Sequence, residues 1–351
     1  VNVEPTGPPS CRLLLCLPSL PFARKAARCG LDLWLVVDQA QHAVFTLLTA
    51  DRTTPVDSHD EVAVADAVTG VVRRNGITHV LDAEGVPAAG VTGAEDLEAV
   101  RVLADDYRLE QVLAPSHHPM VRTRTVADAA DVPKAVADIG PPAVIRSADR
   151  EAVVRSEVEL DEWVRRLGDG QGPFAVGEFV AGPQVVVTTL THDGMHRVVG
   201  ITARQVAAHG VRYLHPAVLD EPEAKRVRAT VTAMLDLVGY EFGPAQTRVV
   251  LSDHGPRIVR SRPGFGHREI RRLIEVTSGF DVQTELFRAL AGVPVHPPLA
   301  RWFAGVEFFR LPGAEPPCDQ DGTSGPRVLA EGPTAELVAE RLDLARHRLW
   351  S

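Results

Sequence analysis

The sequence predicts an α/β unit followed by a larger α+β unit and a short C-terminal extension. Three observations lead there. From Cys11 to Gly93, apolar runs alternate with helical stretches, the pattern of a parallel sheet with helices on its faces. From Ala175 to Ser261 most apolar runs are short and joined by turn residues such as His192-Asp-Gly and Asp253-His-Gly, the pattern of antiparallel β structure. Long amphipathic stretches that stop at glycine supply the covering helices.

In chain order, residues 12–17 and 31–38 read as strands around a helix at 22–29, which Gly30 ends. A helix at 60–74 stops at Asn75-Gly76 and leads into a strand at 77–82. Residues 95–113 read as one long helix, because Leu97, Val100, Leu103, Tyr107, Leu109 and Val112 keep helical spacing. After a loop of Pro and His, a helix is expected at 128–139, strands at 143–146 and 153–155, and a helix at 159–167 whose acidic start suits a helix N-terminus. Strands follow at 175–180, 184–191 and 198–203, then a helix at 221–237 ended by Gly239. Two more strands at 245–251 and 256–261 precede helices at 268–277 and 281–290. The tail carries a strand at 305–310, a Pro/Gly-rich insert to about Pro326 and a helix at 334–349. No internal repeat is visible. The expected units are 10–94, 95–296 and 297–351.

The 351 residues, at roughly 150 per domain, fit two or three domains with ample core. A formal net charge of -9 argues against general affinity for nucleic acid or an anionic membrane. Cys11, Cys16, Cys29 and Cys318 form no CxxC pair, which excludes zinc fingers and suits a reducing compartment. Residues 1–10 carry Glu4 and no basic cluster, the apolar run at 13–17 is too short for a signal-peptide core, and no run approaches the ~18 residues of a membrane span. A cytoplasmic protein is expected. Only Lys25, Lys134 and Lys225 are lysines among 37 basic residues.

Isolated motifs read as structure. His192 and His196 flank a turn and lack the HExxH context of a metal site. His117-His118 reads as loop surface, Gly168–Gly172 as a linker because it does not run from strand into helix, and Cys11 and Cys16 as core thiols. No Ser-His-Asp arrangement is visible.

A set of phrases in fixed order carries more. Asp105-Asp-Tyr-Arg-Leu, Pro142-Ala-Val-Ile-Arg, Val176-Gly-Glu-Phe-Val-Ala-Gly-Pro-Gln, Val199-Gly-Ile-Thr-Ala-Arg, Leu214-His-Pro-Ala, Val238-Gly-Tyr-Glu-Phe-Gly-Pro-Ala-Gln-Thr-Arg and Ser261-Arg-Pro-Gly-Phe-Gly span residues 97–294. Together they resemble the ATP-grasp superfamily, most closely its carboxylate-amine ligases of the amino-acid ligase type. The resemblance implies an ATP-grasp fold preceded by a Rossmann-like pre-ATP-grasp domain. It also implies a biosynthetic enzyme that clamps ATP, phosphorylates a carboxylate and lets an amine displace the acyl phosphate, forming an amide or peptide bond. By the same resemblance Arg146, Glu178, Phe179, Val180, Gln184 and Arg204 meet the nucleotide, and Arg262 contacts carboxylate or phosphate.

The sequence departs from the family where phosphoryl transfer needs charge neutralisation. The family's Asp-Lys pair reads Asp105-Asp106, and its Lys-Pro reads Arg146-Ser147. The glycine-rich loop is replaced by Asp149-Arg150-Glu151, roughly five residues shorter than a phosphate-covering loop. Another family lysine is Arg204, and Arg248 and Arg260 stand where carboxylates hold Mg2+. Guanidinium groups have no lone pair to give a metal, so no metal ligand is assigned and Mg2+ lacks its expected ligands. ATP stays a candidate cofactor. The leading expectation is a divergent member with impaired or lost Mg-ATP catalysis, a pseudoenzyme that binds an anionic ligand or regulates a partner. Its anion pocket is expected at Arg204, Arg248, Arg260 and Arg262, with His215 and His267 nearby by analogy. Expected partners are a small-molecule acid or amino acid and a partner ligase, with homo-oligomerisation open. The competing expectation is an active ATP-dependent ligase with a rearranged site.

Overall fold

The computed structural model describes residues 11–87, 94–116, 118, 120–147, 151–167, 171–207, 210–309 and 326–350. His117, the glycines at 168 and 170, Asp149, Arg150, the insert at 310–325 with Cys318, and the unit boundary near Gly93 lie outside them.

The chain opens with β1 (Arg12–Cys16), α1 (Leu20–Arg28), β2 (Asp32–Asp38), α2 (His42–Thr49), β3 (Thr53–Val56), α3 (Glu61–Asn75) and β4 (His79–Leu81). The strands form a parallel sheet in the order β3-β2-β1-β4. Local chemistry sets the helix ends. Asp60 accepts hydrogen bonds from the Val62 and Ala63 N–H groups at the start of α3, and Gly76 ends it with a left-handed φ of 59°. The sequence reading missed α2 and β3. Pro55 sits in β3, which is an edge strand, where a missing N–H costs no ladder bond.

The helix expected at 95–113 is two helices, α4 (Ala94–Ala104) and α5 (Asp106–Leu113). Asp105 breaks them by turning its carboxylate back to cap the Tyr107 and Arg108 N–H groups. Asp106 then becomes the first residue of α5, with its side chain buried.

A small antiparallel sheet follows, built from β5 (Thr123–Asp128), α6 (Val132–Ile139), β6 (Ala143–Arg146), β7 (Glu151–Val154), α7 (Glu157–Leu167) and β8 (Gln171–Glu178) in the strand order β5-β8-β6-β7. The expected helix at 128–139 begins only at Val132, because the residues before it finish β5 and make a single tight turn.

The rest of the chain builds a seven-stranded antiparallel sheet. Its elements are β9 (Gln184–His192), β10 (Met195–Ala207), β11 (Gly210–His215), α8 (Glu221–Val238), β12 (Gly243–Ser252), β13 (Gly255–Pro263), α9 (Arg268–Ser278), α10 (Val282–Leu290), β14 (Phe303–Phe309), β15 (Arg327–Gly332) and α11 (Ala335–Trp350). The strand order is β13-β12-β9-β10-β11-β14-β15, so the C-terminal strands extend the same sheet through β11. Both faces are covered. Val185 and Val187 of β9 pack with Val227, Val231 and Met234 of α8, while Val186 and Leu190 face Ile270 and Ile274 of α9 and Leu286 of α10. The second of these clusters also takes in Leu13, Phe22 and Leu35 of the parallel-sheet unit. The small sheet has its own core around Ile145, Phe174 and Val176. No helix among the described residues is long and apolar enough to cross a membrane.

Candidate functional site

Where the small sheet meets the large one, charged side chains are buried. Arg248 of β12 and Arg260 of β13 are register partners, so they share one sheet face. They are 4% and 8% exposed. Glu151 at the start of β7 reaches over from the small sheet, and its Oε2 accepts from Arg248 Nη1 at 3.1 Å. Its Oε1 lies 3.8 Å from Nη2 of Arg204, whose Nη1 donates to Gln184 Oε1 at 2.8 Å. Burial pushes the Glu151 carboxyl up, but the Arg248, Arg204 and Arg146 charges outweigh it and hold it down to about 2.

Asp106 forms the second node. Its Oδ1 accepts from Arg262 Nη1 at 2.7 Å and its Oδ2 lies 3.7 Å from Arg146 Nη2. Burial lowers the Arg146 pKa, and Asp106 opposes that fall. Gly177 of β8 lies beside this guanidinium, and a Cβ there would meet Arg146 Nη2 at 3.4 Å, an ordinary contact distance. Five guanidinium groups and two carboxylates thus converge among the described residues.

Arg248, Arg260 and Arg262 also line a recess of about 200 Å³. Opposite them the rings of Tyr213 and His267 stack, 5.8 Å apart and inclined by 24°. His267 caps α9, with Nδ1 accepting from the Glu269 N–H at 3.2 Å, which assigns the proton of the neutral ring to Nε2. Gln246 Oε1 accepts from the His267 N–H at 2.9 Å and holds that cap in place.

The remaining expected residues are placed as follows. His215 does not line the recess. It is buried with Nδ1 3.1 Å from the Thr202 hydroxyl, and burial pushes its pKa down to about 4. Arg146 and Arg204 do not line it either; they join the cluster through Asp106 and Glu151. Glu178 is clasped by Arg257 through two hydrogen bonds of 2.7 and 3.2 Å, and Arg122 lies 3.6 Å from its Oε2. Burial opposes its ionisation, yet these partners bring its pKa below the ordinary value. The Phe179 N–H donates to Pro142 O at 3.2 Å, and Val180 packs on the core beneath α8. Sequence reasoning missed Glu151 and Asp106 as partners of the arginines and Arg257 as the partner of Glu178. The available signal was reciprocal charge: the resemblance puts a lysine at 106 and acids at 248 and 260, where this sequence has an acid and two arginines.

A Mg2+ ion does not fit these residues. Arg248 and Arg260 offer only donors, and the two nearby carboxylates are bound to guanidinium groups. Among the described residues no group of three or more His, Cys, Asp or Glu is disposed to hold a metal.

Two antiparallel sheets that meet across this cluster, preceded by a four-stranded parallel sheet, make the ATP-grasp fold. The chain is similar over 95% of its length to 96% of the L-amino acid ligase from Bacillus licheniformis, with a TM-score of 0.68 and 16% identity. It is similar over 95% of its length to 97% of the N5-carboxyaminoimidazole synthase from Aspergillus clavatus, solved with ADP and 5-aminoimidazole ribonucleotide, with a TM-score of 0.69 and 13% identity. The biotin carboxylase from Campylobacter jejuni, solved as a β,γ-ATP complex, gives a TM-score of 0.60 and 16% identity over 85% of this chain and 75% of that one. No family model and no curated protein matches the sequence.

Proposed function

We propose that this chain is a divergent ATP-grasp ligase-like protein that has lost metal-dependent nucleotide chemistry and binds a small anion without metal at the recess of Arg248, Arg260 and Arg262. One observation carries the reading: Glu151 and Asp106 are bound to arginines where phosphoryl transfer asks for metal-bound carboxylates and cations free to meet phosphate. Glu178, Gln184 and the Phe179 N–H, which the resemblance assigns to the nucleotide, are also engaged within the chain. A small acid is the proposed ligand and a partner ligase the proposed recipient of regulation, with the chain divided near residues 94 and 296. Calorimetry with ATP, with and without MgCl2, tests this. Weak binding that MgCl2 leaves unchanged is expected, and tight metal-dependent binding overturns it.

A second reading has its own support. Arg146 and Arg204 keep a cation at two positions where the resembled family uses lysine, which favours an active ATP-dependent ligase with a rearranged site. It expects release of ADP or phosphate on an amino-acid panel, abolished by Arg146→Ala.

A further inference from the structure

A recess of about 550 Å³ opens between α1 and the pair α9 and α10, and shares no lining residue with the arginine recess described above. Lys25, Arg268, Arg271 and Arg272 line it, together with Glu275 and Asp281. Asp281 is already occupied: it accepts from the Lys25 ammonium at 2.5 Å, the Gln283 N–H at 3.1 Å and the Thr284 hydroxyl at 2.8 Å. Lys25 is correspondingly neutralised. Arg268 and Arg272, four residues apart on α9, project from the same helix face and are exposed.

Arg271 is the informative side chain. Its guanidinium lies over the Phe265 ring, 5.2 Å from the centroid, and that ring is fully buried. This stack fixes the plane of the fork. Its Nε is buried with no hydrogen-bond partner among the described residues. That N–H lies beneath the surface, and an oxyanion entering the recess would meet the terminal nitrogens of the same half-buried fork. Burial also lowers the Arg271 pKa, which Glu84 and Asp281 only oppose.

We propose that this recess binds a phosphorylated small molecule, with its phosphate held by Arg271 between Arg268 and Arg272. Three guanidinium groups within about one helical turn suit a tetrahedral dianion, which offers several acceptor oxygens in different directions. The volume lies within the range of about 300–1,000 Å³ typical of small-molecule sites, so the ligand extends beyond a bare phosphate.

The test is calorimetric titration of the full chain, without added metal, with glycerol 3-phosphate, orthophosphate and malonate. Glycerol 3-phosphate is expected to bind most tightly and malonate least. Arg271→Gln should weaken glycerol 3-phosphate binding by about tenfold or more. The double variant Arg268→Ser, Arg272→Ser changes only the exposed face, should keep the native circular dichroism spectrum and should weaken binding several-fold, so the test survives a folding defect in the Arg271 variant. No phosphate binding at millimolar concentration, an unchanged affinity in the double variant, or a preference for malonate would each overturn the proposal.

Discussion

Arg248 and Arg260 stand opposite each other on neighbouring strands of one sheet, both buried, and it is Glu151 on a different sheet that accepts from Arg248. Two like charges on one sheet face repel, and removal from water adds several kcal/mol per ion unless opposite charge is close. The large sheet therefore depends on the small one for its charge balance. Asp106 does the same from α5, joining Arg146 of the small sheet to Arg262 of the large one. These ion pairs tie the two sheets together.

Removing Glu151 should expose that dependence. Glu151→Ala leaves buried guanidinium groups without their shared carboxylate, and such losses cost about 3–5 kcal/mol. A cycle of Glu151→Met, Arg248→Met and the double variant, followed by urea unfolding, should give a coupling energy of at least about 1 kcal/mol, because groups in one ion-pair network are not additive. Additive effects would show that the pair contributes nothing specific.

Asp106→Lys restores the residue type of the resembled family and should not restore its chemistry. The ammonium would lie beside Arg146 and Arg262, so it adds like-charge repulsion to the loss of a buried partner. It should destabilise by more than Asp106→Asn, and by about 3 kcal/mol or more relative to the parent chain. Thermal unfolding of the two variants checks the order; equal stability would mean that the carboxylate is not the partner of these arginines.

Arg257→Met should loosen the connection after β8. Its two hydrogen bonds to Glu178 sit next to the Phe179 N–H bond to Pro142 O. Loss of a charge-assisted pair at this half-buried position should cost about 1–2 kcal/mol. Hydrogen exchange at the Phe179 amide should accelerate, while amides of β9 keep their protection. An unchanged Phe179 rate would separate Glu178 from this connection.

Much of the framework was legible because local chemistry and long-range packing agree there. The strand that became β9 was readable from a β-branched run ending at the His192-Asp-Gly turn, and the helix that became α8 from helical period and Gly239; Asp220 and Gly239 do cap α8. Illegible elements were those where local signals conflict. The apolar spacing runs straight through Asp105, so only its capping geometry reveals the break between α4 and α5. β3, β5 and β11 are short, and the polar, largely exposed residues of β5 resemble a loop. In the site, arginines at 248 and 260 stood out from the sequence, but their balance did not. Glu151 lies 97 residues from Arg248 and Asp106 lies 156 from Arg262, and no local pattern joins them.

Among the carboxyl and imidazole groups whose folded pKa values are depressed, His215 and Glu151 are displaced furthest, and the two act in separate windows. His215 falls from 6.5 to about 4, so the unfolded chain takes up its proton first. Its contribution is complete above pH 6.5 and is lost as pH falls from 6.5 towards 4, a change of about 3 kcal/mol. Glu151 falls from 4.5 to about 2, so its contribution is complete above pH 4.5 and is lost between 4.5 and 2. Urea unfolding from pH 7.5 to 3 should therefore show a decline that begins near 6.5. His215→Gln, which keeps a polar group for Thr202 and cannot titrate, should flatten the part between 6.5 and 4.5 and leave the steeper loss below it. If the variant declines like the parent chain from 6.5, protonation of buried His215 is not the cause and the acid sensitivity belongs to other groups.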